Sequence, residues 1–290
     1  MYKTLNEHYK EKFGCKVYKL AVDGGFTCPN RDGTLGAKGC IFCSTFGGGE
    51  FAQRGGNITE QLANAKKLVE NKIKTDKYIA YFQAFTNTYA DIKTLERLYY
   101  EAIKPDFIVG LSIGTRPDCL PNETIELLKE INKIKPVSIE LGLQTSNDKT
   151  AEYIRRGYKT EVYLDAVNRL KEAGIEVVTH IILGLPYETS TDMIKTTQDA
   201  VLAGTDGVKF HTLHILKNTD LEKEWQNKNF DCLTMEEYGE ILKQCINILP
   251  KDIVVHRITG DGDKKSLLAP LWTADKKRVL NYLNKILKNV

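Results

Sequence analysis

The sequence predicts an α/β fold of parallel strands and crossover helices, arranged as a partial barrel or a doubly wound sheet. Three observations predict it. Runs of β-branched and aromatic residues recur about every thirty residues from Tyr78 onward, with one longer step at the fourth strand. Amphipathic stretches fill the gaps, two of them stopped by Gly174 and Gly204. Polar or charged residues stand at or just beyond the C-terminal ends of the runs, where barrel enzymes place their chemistry.

Taken in order, residues 1–14 read as a short polar helix with Tyr9 and Phe13 as packing contacts. Val17–Val22 alternates and ends at Asp23-Gly-Gly, a strand entering a loop. Asn57 or Thr59 can cap a helix whose apolar positions are Ile58, Leu62, Ala65, Val69 and Ile73. Strands follow at Tyr78–Phe82, Phe107–Ile113, Val137–Leu141, Val177–Leu183 and Val208–Leu213. Helices are expected between them at 91–103, 122–134, 147–155, 160–173 and 189–203.

The pattern then changes. Thr234-Met-Glu-Glu237 is a capping box for a helix to about Leu249. A strand at Ile253–Arg257 and a basic amphipathic helix at Thr273–Leu287 complete the chain. With no linker-like composition, residues 1–229 are expected as the core and 230–290 as an extension closing its open side, in one compact unit.

Composition excludes rather than assigns. A net charge of +3 permits nucleic-acid binding without arguing for it. Seven cysteines, odd in number and unevenly spaced, predict a reducing, cytoplasmic setting. The N-terminus lacks a signal-like apolar stretch and no run approaches a membrane span, so no membrane contact is expected.

The stretch Cys28–Cys43 carries the strongest chemical signal. Three thiols fall within sixteen residues, the last two as Cys40-Ile-Phe-Cys43, with Pro29, Gly33, Gly36 and Gly39 between the first two. Three thiolates suit an iron–sulfur cluster with one iron left open. Structural zinc is the competing reading, but it wants a fourth protein ligand, and Cys15, Cys119, Cys232 and Cys245 stand alone.

At these residues the sequence resembles the radical S-adenosylmethionine (SAM) superfamily, with Phe42 before the last cysteine. The first gap is eleven residues instead of the usual three, and with Gly25–Gly33 around it the loop resembles the YhcC/YtqA family, relatives of the elongator catalytic subunit. The resemblance implies a partial (β/α)6 TIM-like barrel with a C-terminal α/β extension. It also implies a [4Fe–4S] cluster on Cys28, Cys40 and Cys43, and SAM cleaved to methionine and a 5′-deoxyadenosyl radical.

Further positions follow from it. The segment Gln83-Ala-Phe-Thr86 lies where the superfamily holds the methionine end of SAM, although it contains no glycine, and Gln83 and Thr86 are candidate contacts. Gly47–Gly49 follows Cys43 too closely for that role and is expected to shape the end of the cluster loop. Gln144 and Arg156 resemble SAM contacts of the oxygen-independent coproporphyrinogen oxidases, suited to a ribose hydroxyl and a carboxylate. His180 stands where some relatives place a ribose-binding aspartate, and Gly184 in Gly-Leu-Pro186 where backbone approaches adenine.

Glu140, Arg116 and Lys209 are the catalytic candidates. Glu140 reads as a barrel-lining acid, and Lys209, in an apolar strand, needs an acidic partner such as Glu140 or a substrate. Arg116 in Thr-Arg-Pro-Asp118 can meet a carboxylate or pair with a nearby acid. His211 and His214, three apart in a strand, are expected on opposite faces. Arg257, Asp261, Asp263 and Trp272 are expected at the substrate mouth, and Lys264, Lys265, Lys276, Lys277, Arg278, Lys285 and Lys288 make a basic tail.

Kinship with elongator suggests tRNA, and some relatives are linked to converting the wobble-uridine side chain from 5-carboxymethylaminomethyl to 5-aminomethyl. A one-electron reductant such as flavodoxin or ferredoxin is the other implied partner. The rival readings are a radical SAM enzyme acting on a small molecule or peptide, and a structural zinc or RNA-binding protein.

Overall fold

Inward and outward side chains separate along each strand, and that separation organises the fold. A computed structural model describes residues 2–71, 74–260 and 262–288. Ile73 and Asp261, both named above, lie outside the described residues. The strands are β1 (Lys3–Thr4), β2 (Tyr18–Val22), β3 (Tyr78–Phe82), β4 (Ile108–Thr115), β5 (Val137–Gln144), β6 (Glu176–Leu183), β7 (Gly207–Thr212), β8 (Ile215–Leu216), β9 (Val254–Arg257) and β10 (Leu267–Ala269).

Eight strands form one sheet in the order β1-β9-β7-β6-β5-β4-β3-β2, with every neighbouring pair parallel. From β2 to β7 the spatial order follows the sequence without reversal. A doubly wound sheet would reverse at a switch point, so this is a partial barrel. The C-terminal strand β9 joins beyond β7. Beyond it lies β1, which the reading of residues 1–14 as a helix alone had missed.

The outer face is apolar because the crossover helices cover it. On β5, Val137, Ile139, Leu141 and Leu143 are buried in the main core, while Glu140, Gly142 and Gln144 line the lumen. Asn57, not Thr59, caps the helix Ile58–Val69 in a reciprocal box with Glu60, and Ile58, Leu62 and Ala65 turn inward. The expected tail helix divides into a 3-10 turn, Leu271–Ala274, and a helix, Lys276–Ile286, capped by Asp275. The pair β8–β10 and the helix Asp220–Gln226 gave no sequence signal, since strands of two and three residues and a helix of seven are too short to show a period.

The helix Leu5–Phe13 connects the two sheet edges, β1 and β2, and its Leu5 and Tyr9 line the lower end of the lumen. Its Tyr9 packs on Val17 and Ile79, with Leu5, Phe13, Cys15 and Val109 around them. Lys12 meets Glu176 at the start of β6 at 2.7 Å.

One level higher, six consecutive strands each send a polar side chain to one point. Glu140 on β5 has a fully buried side chain. Its Oε1 accepts from Lys19 on β2 at 2.6 Å and Ser112 on β4 at 3.0 Å. Its Oε2 accepts from Tyr81 on β3 at 2.7 Å, His180 on β6 at 2.9 Å and Lys209 on β7. Lysines from β2 and β7 can share one carboxylate only if the four strands between them curl into a barrel.

Two predictions follow from this packing. Glu140→Gln leaves two buried ammoniums without their counter-charge and lowers folding stability by about 3 kcal/mol; an unchanged urea midpoint would contradict the ring. The loop after β6 holds Glu188, which Thr145 hydrogen-bonds while its Oε2 is buried without a partner. Burial pushes its carboxyl up from 4.5 to about 7. The neutral form therefore favours the fold, and that contribution is lost as pH rises from 4.5 through 7. Glu188→Gln should melt with the wild type near pH 4.5 and several degrees higher at pH 8, where equal melting would refute the buried-acid assignment.

Candidate active site

The long gap between Cys28 and Cys40 folds back on itself through turns that the sequence spacing left undefined. Arg31 N–H donates to Cys28 O at 2.8 Å, Leu35 N–H to Pro29 O at 2.8 Å and Gly39 N–H to Asn30 O at 2.7 Å. Cys40 returns beside Asn30, whose Nδ2 lies 3.5 Å from the Cys40 sulfur. The same amide donates to the carbonyls of Arg155 at 2.7 Å and Arg156 at 3.1 Å, fastening the loop to the far wall. Gly157 permits this approach: its φ is 86° and a Cβ there would stand 2.8 Å from Asn30 Oδ1. Arg31 secures the other side by donating to Cys43 O at 3.0 Å and Ser44 O at 2.5 Å.

The three thiols line a cavity of about 710 Å³ that runs down the lumen from the C-terminal ends of the strands to Val17 and Tyr9. The cavity also meets Gln83, Thr86, Arg116, Glu140, Gln144, Arg156, His180 and Lys209. Gly184 is the exception among the predicted positions. Its φ of 90° suits glycine, but a Cβ there would meet Leu233 at 3.1 Å and Leu213 at 3.9 Å. It lies under the C-terminal segment, and Ile182 and Leu213 form the cavity wall instead.

Several polar groups on the wall are already engaged. Arg116 pairs with Asp118 through two hydrogen bonds of 2.9 and 2.7 Å and donates to Arg156 O at 2.9 Å. Asp118 is thus one of the two partners expected for Arg116. Arg156 is buried, and its guanidinium donates to Leu143 O, Thr145 O and Tyr158 O at 2.5–2.9 Å. It also reaches Asp148 and Thr160 at 3.3 Å, so it braces three loop segments instead of presenting an open fork. Gln83 donates to Gly48 O at 2.8 Å, and Gly47 and Gly49 pack so closely on Phe85 and Ala84 that a Cβ at either would clash. The glycine run and the glycine-free segment after β3 thus form one layer at the cavity rim. Gln144 has φ 60° at the end of β5, a strained backbone facing the cavity.

Below them lies the Glu140 ring. Burial alone would raise the Glu140 pKa; Lys19 and Lys209 outweigh it and hold the carboxyl well below the usual range. With five donors on two oxygens, Glu140 is an ionised hub with no capacity left to act as a base. Burial pulls Lys209 down to about 7 against the attraction of Glu140. His180 and His211 stand with rings 5.0 Å apart, and burial lowers both pKa values.

His211 and His214 were expected on opposite faces, yet both line the cavity. β7 ends at Thr212, so the strand alternation stops before His214. Sequence reasoning missed Lys19, Tyr81 and Asn30 as site residues. Lys19 was findable, since it shares the inward register of Val17 and Ala21. Asn30 was not, since its partners lie 125 and 126 residues away.

The donor set fits an iron–sulfur cluster. Burial pushes the Cys40 thiol up to about 12 and raises Cys43 as well, a cost that a bound cation offsets. All seven cysteines are free thiols. Among the described residues no three ligand-type side chains converge as one ion would require. A polynuclear cluster, taking one thiolate per iron, asks for wider spacing on a shared cavity.

Comparison with known proteins agrees with this chemistry. The model of the Radical SAM superfamily matches residues 28–200, and that of the Radical SAM C-terminal domain matches 205–289. YtqA of Bacillus subtilis is 42% identical over 99% of this chain and 90% of its own length. YhcC of Escherichia coli is 40% identical over 91% and 85%. A tRNA uridine(34) acetyltransferase of Methanocaldococcus jannaschii is 30% identical over 56% of this chain and 32% of its own. Elp3 of Methanocaldococcus infernus shares the fold with a TM-score of 0.69 at 18% identity, over 93% of this chain and 63% of that one. No helix among the described residues is long and apolar enough to cross a membrane. The chain belongs to the radical SAM superfamily, whose members bind a [4Fe–4S] cluster and SAM.

Proposed function

We propose that this radical SAM enzyme acts on tRNA, converting the wobble-uridine side chain from 5-carboxymethylaminomethyl to 5-aminomethyl. The observation that carries the proposal is the cavity, which joins the three thiols to a floor where two lysines face one carboxylate. It has room for a nucleoside-sized ligand, and its floor suits an acidic side chain. A relative named for tRNA uridine(34) supports the substrate class. So do the exposed Lys264, Lys265, Lys277, Arg278 and Lys285, since phosphate backbones are held largely by such groups.

In this reading Cys28, Cys40 and Cys43 hold three irons of the cluster. When bound, cluster and SAM would supply one-electron cleavage of SAM and hydrogen-atom abstraction from the carbon between nitrogen and carboxylate; return of one electron to the cluster and addition of water would then release the two-carbon unit as glyoxylate. Gln83 and Thr86 lie at the rim for the methionine end of SAM, and Gln144 for the ribose. His180 sits lower, on the substrate side. Arg116 and Arg156 hold the walls in place instead of touching ligand. The helix Leu5–Phe13 seals the floor against water, and a flavodoxin or ferredoxin delivers the electron.

The test is nucleoside mass spectrometry of tRNA rich in 5-carboxymethylaminomethyluridine, after incubation with reconstituted enzyme, SAM and reductant. The 5-aminomethyl nucleoside should accumulate with SAM present and not with Cys43→Ala. SAM cleavage with unchanged nucleosides would overturn the substrate assignment.

A further inference from the structure

The Glu140 ring carries an imbalance that its role in closing the barrel does not explain. Two amines, Lys19 and Lys209, share a single carboxylate, so the ring holds a surplus positive charge whenever both are protonated, and burial pulls Lys209 down to about 7 for want of a second anion. An unbalanced charge in such a place is costly unless an anion meets it. The two lysines are not equally satisfied. Lys19 donates to Glu140 at 2.6 Å and to Ser112 at 2.9 Å. Lys209 has Glu140 as its one hydrogen-bond acceptor among the described residues, so two of its N–H groups remain, and it lines the cavity.

A second donor stands beside it. His211 lies two residues further along β7 and therefore on the same face. Its Nε2 is buried without a hydrogen-bond partner, and its ring also lines the cavity. Burial keeps that imidazole neutral, which leaves it one N–H to give.

We propose that Lys209 and His211 form a carboxylate-binding subsite in the barrel floor, and that it holds the carboxymethyl end of the substrate side chain. The substrate's identity rests on the tRNA reading above, whereas the subsite itself does not. A carboxylate offers two oxygens to the two unused donors and cancels the surplus charge of the ring. Glu140, with every lone pair engaged, then orients Lys209 instead of touching substrate. The product, having lost its carboxylate, no longer matches the floor and leaves.

The test separates subsite from substrate. N-methylglycine carries the –NH2⁺–CH2–COO⁻ group alone and should shift the imidazole ¹⁵N signals of His180 and His211 saturably, while dimethylammonium, which lacks the carboxylate, shifts neither. Lys209→Met, which leaves a balanced Lys19–Glu140 pair, should weaken that binding by about tenfold or more, and Lys209→Arg should restore most of it. An anticodon stem-loop with 5-carboxymethylaminomethyluridine should likewise lose about tenfold in affinity for Lys209→Met, while one with 5-aminomethyluridine binds both proteins equally. A Lys209→Met response equal to wild type, in a variant that keeps its iron content, overturns the subsite. A tenfold loss of SAM affinity in the same variant would give the carboxylate to the cofactor and overturn the substrate assignment. Binding of N-methylglycine with no conversion of tRNA refutes the tRNA reading and leaves the subsite standing.

Discussion

The barrel depends on one buried carboxylate. Glu140 draws Lys19, Tyr81, Ser112, His180 and Lys209 from five other strands to a single level of the lumen. Without curvature, β2 and β7 would stand with four strands between them; with it, their lysines meet across the lumen. Burying three charges there costs several kcal/mol per ion, which a full set of short hydrogen bonds offsets. The ring therefore contributes more to shape than to stability. It fixes the radius at which loops from opposite strands can face each other.

That radius decides what the upper loops can do. Asn30 crosses from the cysteine loop after β2 to the Arg155–Gly157 turn after β5, and Arg156 in turn collects carbonyls from that same wall. The thiols are held from both sides of the lumen before any cluster arrives. Below the ring, the helix Leu5–Phe13 replaces water with Tyr9 and its apolar neighbours. The cavity is thus graded along its axis, from thiols at the mouth through charged donors to the apolar side chains around Tyr9.

Much of this was legible in the sequence, for reasons that differ by element. The strand–helix repeat showed because β5 and β6 alternate between a helix-covered face and the lumen, and that alternation needs no long-range information. Charged residues within such strands, Glu140 and Lys209, stood out for the same reason. Lys19 has the same inward register but is easily passed over, because a lysine near a strand end beside exposed Tyr18 resembles a solvated one. Arg156 and Arg116 were visible as arginines near the mouth, but their acceptors are backbone carbonyls and a neighbouring aspartate, which composition cannot weigh. Gly184 matched a motif, yet Leu233 from the C-terminal segment covers it. His214 was misplaced because the end of β7 at Thr212 depends on pairing and not on local sequence.

The proposed cluster at the Cys28–Cys43 loop, with one iron open to SAM, gives the barrel its use. Anaerobic reconstitution followed by electron paramagnetic resonance of the reduced protein tests it most directly. About four irons and four sulfides per chain are expected, with a reduced-cluster signal that shifts when SAM is added and loss of both in Cys40→Ala. A colourless protein that takes up zinc, or a cluster signal indifferent to SAM, would contradict it.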